Sequence, residues 1–379
     1  QRAISDMTAR TDWFRLFLLP GFAFKAVVIG GGYATGRELV SFFMPSGPRG
    51  GLLGMVLAMV VWSVVCVVTF TFAMATSSRD YRTFFRNLLG PFWRVFEIAF
   101  FLAMTVILAV FAAAAGAIGQ AMFGWPTILG SLALMASITL ATTFGNESVE
   151  RLFKYVSIFL YATYAVFLAL SLSHFGDGIF KAFSRPVAMT NWWAGGLTYA
   201  GYNVVGAVVV LPVLRHLRGK KDALIAGLLA GPLAMAPAIL FFISMAAFYP
   251  AIEAQLLPSD FLLQQMNAPI FRLVFQAMIF AALVESGAGQ IHAINERVAS
   301  AYQAGGQRVL SPRVRFAITV AILIGAVFVA DRIGLIALIA NGYRWLSFIF
   351  LGIYVAPLLT IGIWRLRRSV TLSSQLIES

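Results

Sequence analysis

The sequence predicts an all-α integral membrane protein of about ten transmembrane helices, arranged as two inverted halves of five, with helices one and six broken. Three observations predict it. The 379-residue chain is 60% hydrophobic and only 11% charged, more apolar than a soluble chain of this length needs to be. Its apolar runs are long and continuous, which selects helices over the alternating strands of a barrel. Its basic residues recur at alternate connections.

The expected spans are roughly 13–43, 51–76, 92–121, 127–144, 151–174, 191–214, 222–248, 269–296, 313–330 and 343–365. Most reach the ~20 residues that a bilayer core demands. Short connections join many of them, so a separate soluble domain is not expected. The first repeat takes 13–174, the inverted second repeat 191–366, and a polar tail 367–379. Two connections are ambiguous. The stretch 331–342, "DRIGLIALIANG", reads as a short outer helix, a re-entrant piece or a connector, because joined to the tenth span it makes an over-long helix. The outer loop 249–268 reads as partly helical, either a lid or a connector.

Charge tests the count. With a cytoplasmic N-terminus, the inner segments hold Arg2, Arg10 and Arg15; Arg79, Arg82, Arg86 and Arg94; Arg151 and Lys154; Arg215, Arg218, Lys220 and Lys221; Arg297, Arg308, Arg313 and Arg315; and Arg365, Arg367 and Arg368. The outer segments hold only Arg49, Lys181, Arg185, Arg272, Arg332 and Arg344. This is the positive-inside bias, and one missed helix would invert it downstream. The net charge of +13 is therefore topological, and nucleic acid is not an expected partner. The expected location is the bacterial cytoplasmic (inner) membrane, with both termini in the cytoplasm. The first apolar segment is too long for a cleavable signal and carries Lys25 and Arg37. The single cysteine, Cys66, excludes an intrachain disulfide and a Cys-based metal site.

The first span covers about 31 residues, or roughly 46 Å of straight helix against ~30 Å of hydrocarbon. Gly30, Gly31 and Gly32 in series, with Gly36 one turn on, suggest an unwound segment. Each costs about 1 kcal/mol relative to Ala in a helix interior. Close packing through small residues is the alternative. The sixth span, "NWWAGGLTYAGYNVVGAVVVLPVL", repeats the theme with Gly195, Gly196, Gly201 and Gly206 around Tyr199, Tyr202 and Asn203. Unwinding frees backbone N–H and C=O groups, which persist in a membrane only where a cavity, ion or solute satisfies them. Interrupted helices at matching positions of inverted halves point to a transport site at the midplane.

With these residues in view, the chain resembles a known group. "IGGGYATGRELVSFF", "LTYAGYNVVGAVVVLPVLRHLRGKKDALIAGLLAG" and "LIANGYRWL" are similar to YkvI-type bacterial membrane proteins. The architecture resembles the LeuT-fold transporters of the amino acid–polyamine–organocation superfamily. The resemblance extends over most of the chain and implies a five-plus-five inverted repeat and a transport role. It supplies no substrate; amino acids or related solutes are an analogy from fold. It also implies a sodium site built from first-helix carbonyls near Ala26 and Ile29 and an eighth-helix hydroxyl, for which Ser286 is the nearby candidate.

Ionisable residues within spans are costly and mark function by default. Lys25 precedes the glycines and Glu285 lies at the centre of the eighth span. A Lys ammonium at the implied sodium position would pair with Glu285. That pair either couples transport to protons or is a permanent structural salt bridge. Arg37 and Glu38 begin the outer half of the first helix, as an internal ion pair or as a gate, with Arg37 also able to meet a carboxylate. Toward the inner end of span eight lie His292, Asn295 and Glu296, and Glu97 is expected at the interface.

The expected solute site comprises Gly30, Gly31, Gly32, Tyr33, Ala34, Thr35, Gly36, Tyr199, Tyr202 and Asn203. An anionic group would suit the free amides of Ala34 to Gly36. An ammonium would suit the freed carbonyls of Gly30 to Gly32 and the Tyr faces. Both together describe a zwitterion such as an amino acid, carried by alternating access with a proton or sodium as coupling ion. A passive channel or sensor is the rival on the same fold. An enzyme is not expected, since H-E-x-x-H, G-x-S-x-G and P-loop motifs are missing from the sequence. No cofactor is implied. Divalent-metal transport would want ligands at both breaks, and the sixth offers only Asn203.

Overall fold

The architecture comes from a computed structural model, which describes residues 13–29, 31–143, 147–304 and 311–368. Gly30, Arg2, Arg10, Arg308 and the tail beyond Arg368 lie outside the described residues, as do the side chains of Arg151, Lys154 and Glu296. Every regular element among the described residues is helical.

The first span is built in pieces. A turn at Phe14–Leu18 leads into α1 (Leu19–Val28), then a single turn α2 (Gly31–Ala34), then α3 (Arg37–Phe43). The breaks have identifiable backbone causes. Ile29 leaves the helical region at φ −86°, ψ 78°. Gly36 takes the left-handed conformation at φ 79°, which only glycine adopts without a Cβ penalty.

The remaining elements follow in order. They are α4 (Gly47–Ala75), the short α5 (Tyr81–Leu89), α6 (Trp93–Phe123), α7 (Thr127–Thr143), α8 (Glu147–His174) and α9 (Gly176–Ser184). The sixth span is α10 (Trp192–Asn203), α11 (Gly206–Val209) and a tight turn at Leu211–His216. Then come α12 (Lys220–Ala246), α13 (Pro258–Gln265), α14 (Pro269–Ala304), α15 (Pro312–Ile333), α16 (Leu335–Ala337) and α17 (Arg344–Phe350). Among the described residues, six stretches are long and apolar enough to cross a membrane: Arg37–Ala75, Tyr81–Phe123, Lys220–Ala246, Pro269–Ala299, Arg313–Ile333 and Leu335–Arg368. At spans four and five stand the shorter apolar α7 and the pair α8–α9, which bends by 69°.

The break in span six differs from that in span one. Val204 and Val205 keep right-handed helical angles. The ladder tightens instead, with Ala207 N–H bonded to the Val204 carbonyl at 2.9 Å. The glycines of α10 serve packing. A Cβ on Gly195 would collide with the Phe42 carbonyl, and one on Gly196 with the Gly54 backbone. One on Gly201 would collide with the Ser347 hydroxyl. These close approaches seat α10 against α3, α4 and α17.

Lipid tails are as apolar as Leu, so helix association here rests on fit and on polar links rather than on hydrophobic transfer. Such links are numerous. Ser63 Oγ donates to the Leu228 carbonyl at 2.9 Å, and Trp62 Nε1 donates to the Ala200 carbonyl at 3.2 Å. Thr69 and Tyr354 share a 2.6 Å hydroxyl contact. Each is worth about 0.6 kcal/mol in a bilayer.

The stretch 331–342 is neither a separate outer helix nor re-entrant. It divides at Gly334, whose φ of 80° ends α15. Its remainder starts the last span, Leu335–Arg368, as one 34-residue apolar run. That run is about 51 Å long at 1.5 Å per residue. Wide helical turns at Leu338–Tyr343, Leu351–Val355 and Leu358–Gly362 interrupt its regular ladder. The loop 249–268 is partly helical as expected, with a turn at Ala251–Ala254 and then α13.

Candidate functional site

A cavity of about 530 Å³ begins between the two broken spans. Its closed end is lined by Tyr33 and Glu38 from the first span, Tyr202 and Asn203 from the sixth, and Tyr343 from the last. It passes Ala26, Ser286 and Gln290 and reaches Asp80, Tyr81 and Arg297. Asp80 is exposed and stands at the mouth. This is the end of the bundle that carries Arg79, Arg82, Arg215 and Arg218.

The opposite end is shut. Arg37 Nη1 donates to the carbonyls of Glu253 and Gln255 at 2.8 and 2.7 Å, and its Nε donates to Ser41 Oγ at 3.1 Å. The Ser259 amide donates to the Thr35 carbonyl at 3.0 Å. Asp260, 3% exposed, accepts from Arg272 at 2.7 and 2.8 Å. It also accepts from Gln264 at 2.7 Å and Gln276 at 3.0 Å. Arg272 reaches on to the Ala121 carbonyl at 3.1 Å. The segment 251–265 is thus fastened to α3, to α14 and to the end of α6.

Arg37 and Glu38 take different partners instead of each other. Arg37 turns to the covering segment, while Glu38 receives the Tyr202 hydroxyl at 2.6 Å. Consecutive residues on a helix point about 100° apart, which separates them. Tyr202 also stacks on Tyr343, with ring centroids 4.4 Å apart.

Of the other expected solute-site residues, Ala34 and Thr35 are buried and do not line the cavity, and neither does Gly36. Nor does Gly36 offer a free amide: it donates to the Tyr33 carbonyl at 2.9 Å. The following Arg37 amide donates to Thr35 Oγ1 at 3.3 Å. Gly31 and Gly32 belong to the single turn α2. Tyr199 is fully buried against Phe43 and Trp62, at centroid distances of 5.0 and 5.4 Å. It does not line the cavity, and its buried hydroxyl has no hydrogen-bond partner among the described residues.

Lys25 places its ammonium over the rings of Tyr161 and Phe22, at 4.8 and 5.7 Å. Glu285 lies within electrostatic reach of the same Tyr161. Tyr161 of α8 is thus a neighbour of both members of the expected pair. Ser286 and Ala26 share the cavity wall. At the mouth, Arg297 lies over Tyr81 and Phe100, at 4.5 and 3.9 Å. Glu97 is paired with Arg82 at 2.9 Å. Asn295 donates to Thr319 at 2.9 Å.

Sequence reasoning missed Tyr343, Gln290, Tyr161 and the covering role of Asp260 and Arg272. Tyr343 had a signal, since it sits in the "NGY" of the last quoted motif. The others depend on contacts between distant spans.

With this geometry in hand, comparison with known proteins gives a fold. The chain has the LeuT-like fold. It is similar to a manganese transporter of Eremococcus coleocola, at TM-score 0.54 and 14% identity, over 90% of this chain and 77% of that one. It is similar to MhsT in complex with L-phenylalanine, at TM-score 0.54 and 14% identity, over 92% and 97%. It is also similar to an inward-facing conformation of Mhp1, at TM-score 0.51 and 15% identity, over 89% and 76%. No family model matches the chain, and comparison with curated proteins finds no match.

Proposed function

We propose that this chain is a secondary active transporter of a small solute, most simply an amino acid or a related zwitterion, working by alternating access. One observation carries the reading. The cavity begins between the two broken spans, opens at one end of the bundle only, and is covered at the other by a hydrogen-bonded segment. A channel needs both ends open at once; a transporter needs them open in turn. The open end carries the basic connections, so the positive-inside rule assigns it to the cytoplasm. On this reading the described state is inward-open. Ten crossings in two inverted repeats, 13–174 and 191–366, and a bacterial inner-membrane location belong to the same proposal, as does membership of the YkvI-type group.

The coupling ion has two readings. Lys25 and Glu285, both beside Tyr161, favour a proton. Ala26 and Ser286 on one cavity wall favour sodium. Uptake of radiolabelled amino acids into proteoliposomes under a proton or a sodium gradient tests both. Gradient-driven accumulation supports the proposal, and downhill flux that no gradient accelerates supports a channel. If protons couple, Lys25→Ala and Glu285→Gln abolish accumulation while leaving exchange; equal loss of folding in both makes the pair structural.

A further inference from the structure

We infer that Glu38 is the specificity-determining counter-ion of the solute site, and that the transported solute presents a protonated amine to it. The inference rests on the transport reading and goes beyond it by naming the group that is recognised.

Among the described charged side chains lining the cavity, Glu38 lies at the closed end, and Asp80 and Arg297 at the mouth. No basic side chain reaches the closed end among the described residues. Arg37 is spent on the Glu253 and Gln255 carbonyls. Lys25 sits over the Tyr161 and Phe22 rings. A buried charge without a partner is strongly unfavourable, so a carboxyl at the end of an apolar cavity stays ionised only beside a cation, and a solute that brings a protonated amine supplies one.

The Tyr202 hydroxyl occupies Oε2 of Glu38 at 2.6 Å. Oε1 accepts no hydrogen bond from the described residues. It is the acceptor that an ammonium needs. The backbone amides of Gly36 and Arg37 bond within the chain and are not offered to a carboxylate, which leaves Glu38 as the charged group at this end among the described residues.

Tyr33, Tyr202 and Tyr343 stand with Glu38 at the closed end. Aromatic faces beside a carboxylate hold organic cations by the ring quadrupole and desolvate them together. A cation there would touch Glu38 on α3 and, through Tyr202, α10, so its binding would join the two broken spans. A divalent metal fits this lining less well, since it wants several oxygen ligands and Glu38 is the only carboxylate at the closed end among the described residues.

The test uses the purified full chain in detergent and in proteoliposomes. The probes are L-amino acids, each with its deamino acid and its decarboxylated amine, and Mn²⁺. Thermal stabilisation and competition for uptake are read. Expected is that both amine-bearing forms bind and the deamino acids do not, and that Glu38→Gln weakens the amine-bearing forms ~10- to 100-fold. If Glu38→Gln fails to fold, Glu38→Asp, which keeps the charge and moves it by one methylene, should still favour the amine-bearing forms but bind them more weakly, and unchanged binding would overturn the role of Glu38. Deamino acids that bind as tightly as their parents overturn the inference and leave transport standing, as does Mn²⁺ being the sole stabilising probe. No movement of any probe through folded protein, under any gradient, overturns the transport reading as well.

Discussion

The Tyr202 hydroxyl donates to Glu38 at 2.6 Å, joining α3 of the first broken span to α10 of the sixth. Tyr202→Phe keeps the ring and its stack on Tyr343 but leaves a buried carboxylate without its donor. The expected cost is about 1–3 kcal/mol, read as a lower melting temperature in detergent. Tyr202→Phe in the Glu38→Gln background should cost less than in wild type, because the charge is gone. Equal costs in both backgrounds would mean that the charge on Glu38 adds nothing to the bond.

Asp260 and Arg272 hold the covering segment down. Their side chains are 4% and 24% exposed, so breaking the pair strands a largely buried charge. Asp260→Asn should cost about 3 kcal/mol, the lower end for a buried pair because Arg272 keeps some water. Asp260→Asn with Arg272→Gln should be milder than the sum of the single variants, as a double-mutant cycle would report. Additive losses would place the strength of the latch elsewhere.

Gly36 combines two constraints that another glycine separates. At φ 79° a Cβ would be strained, and it would also stand 2.8 Å from Phe241 Cζ. Gly124 has φ 68° with nothing within 4 Å of its Cβ position. Gly124→Ala should therefore cost only the left-handed penalty, about 1–2 kcal/mol. Gly36→Ala should cost clearly more. Matching melting temperatures would show that Phe241 yields freely.

Asp80 caps α5 through the Thr83 amide at 2.9 Å and hydroxyl at 2.6 Å. Burial pushes its carboxyl up, but the Thr83 hydrogen bonds, with help from Arg82, outweigh it and hold it below its ordinary value of 3.8. A carboxyl lowered in the folded state stabilises above its unfolded value, and the effect is lost as pH falls through the folded value. Asp80→Ala should therefore cost about 1 kcal/mol near neutrality. The difference from wild type should fade only below pH ~4. A difference that fades near pH 6 would contradict this cap.

The all-helical class and the long apolar runs were legible because they are local properties of the chain. The interruption near the first glycines was legible as a cluster, although Gly31 and Gly32 form a helical turn and the backbone departs at Ile29 and Gly36. The glycines of the sixth span misled, since a sequence does not distinguish a glycine that unwinds a helix from one that admits a neighbouring backbone. Gly195 against Phe42 is the second kind. The ion-pair branch of the Arg37–Glu38 reading misled for a related reason, while the gate branch was left open. Adjacent charges look paired in sequence, yet the helix turn sends one to the cover and the other to the cavity. The shared neighbour of Lys25 and Glu285, Tyr161, comes from a third span and carried no signal near either.

Alternating access between these two ends is the central claim, and paired cysteine accessibility tests it most directly. With Cys66 replaced by Ala, Ser286→Cys reports the open cavity and Thr35→Cys the covered end. Without solute or gradient, an impermeant thiol reagent should label Cys introduced at 286 from the basic side, and Thr35→Cys should resist from the other. Arg37→Ala, which releases the Glu253 and Gln255 carbonyls, should raise labelling at 35 about tenfold and lower it at 286, since the two ends exchange one equilibrium. Labelling of both positions that rises together, or that Arg37→Ala leaves unchanged, would contradict the account.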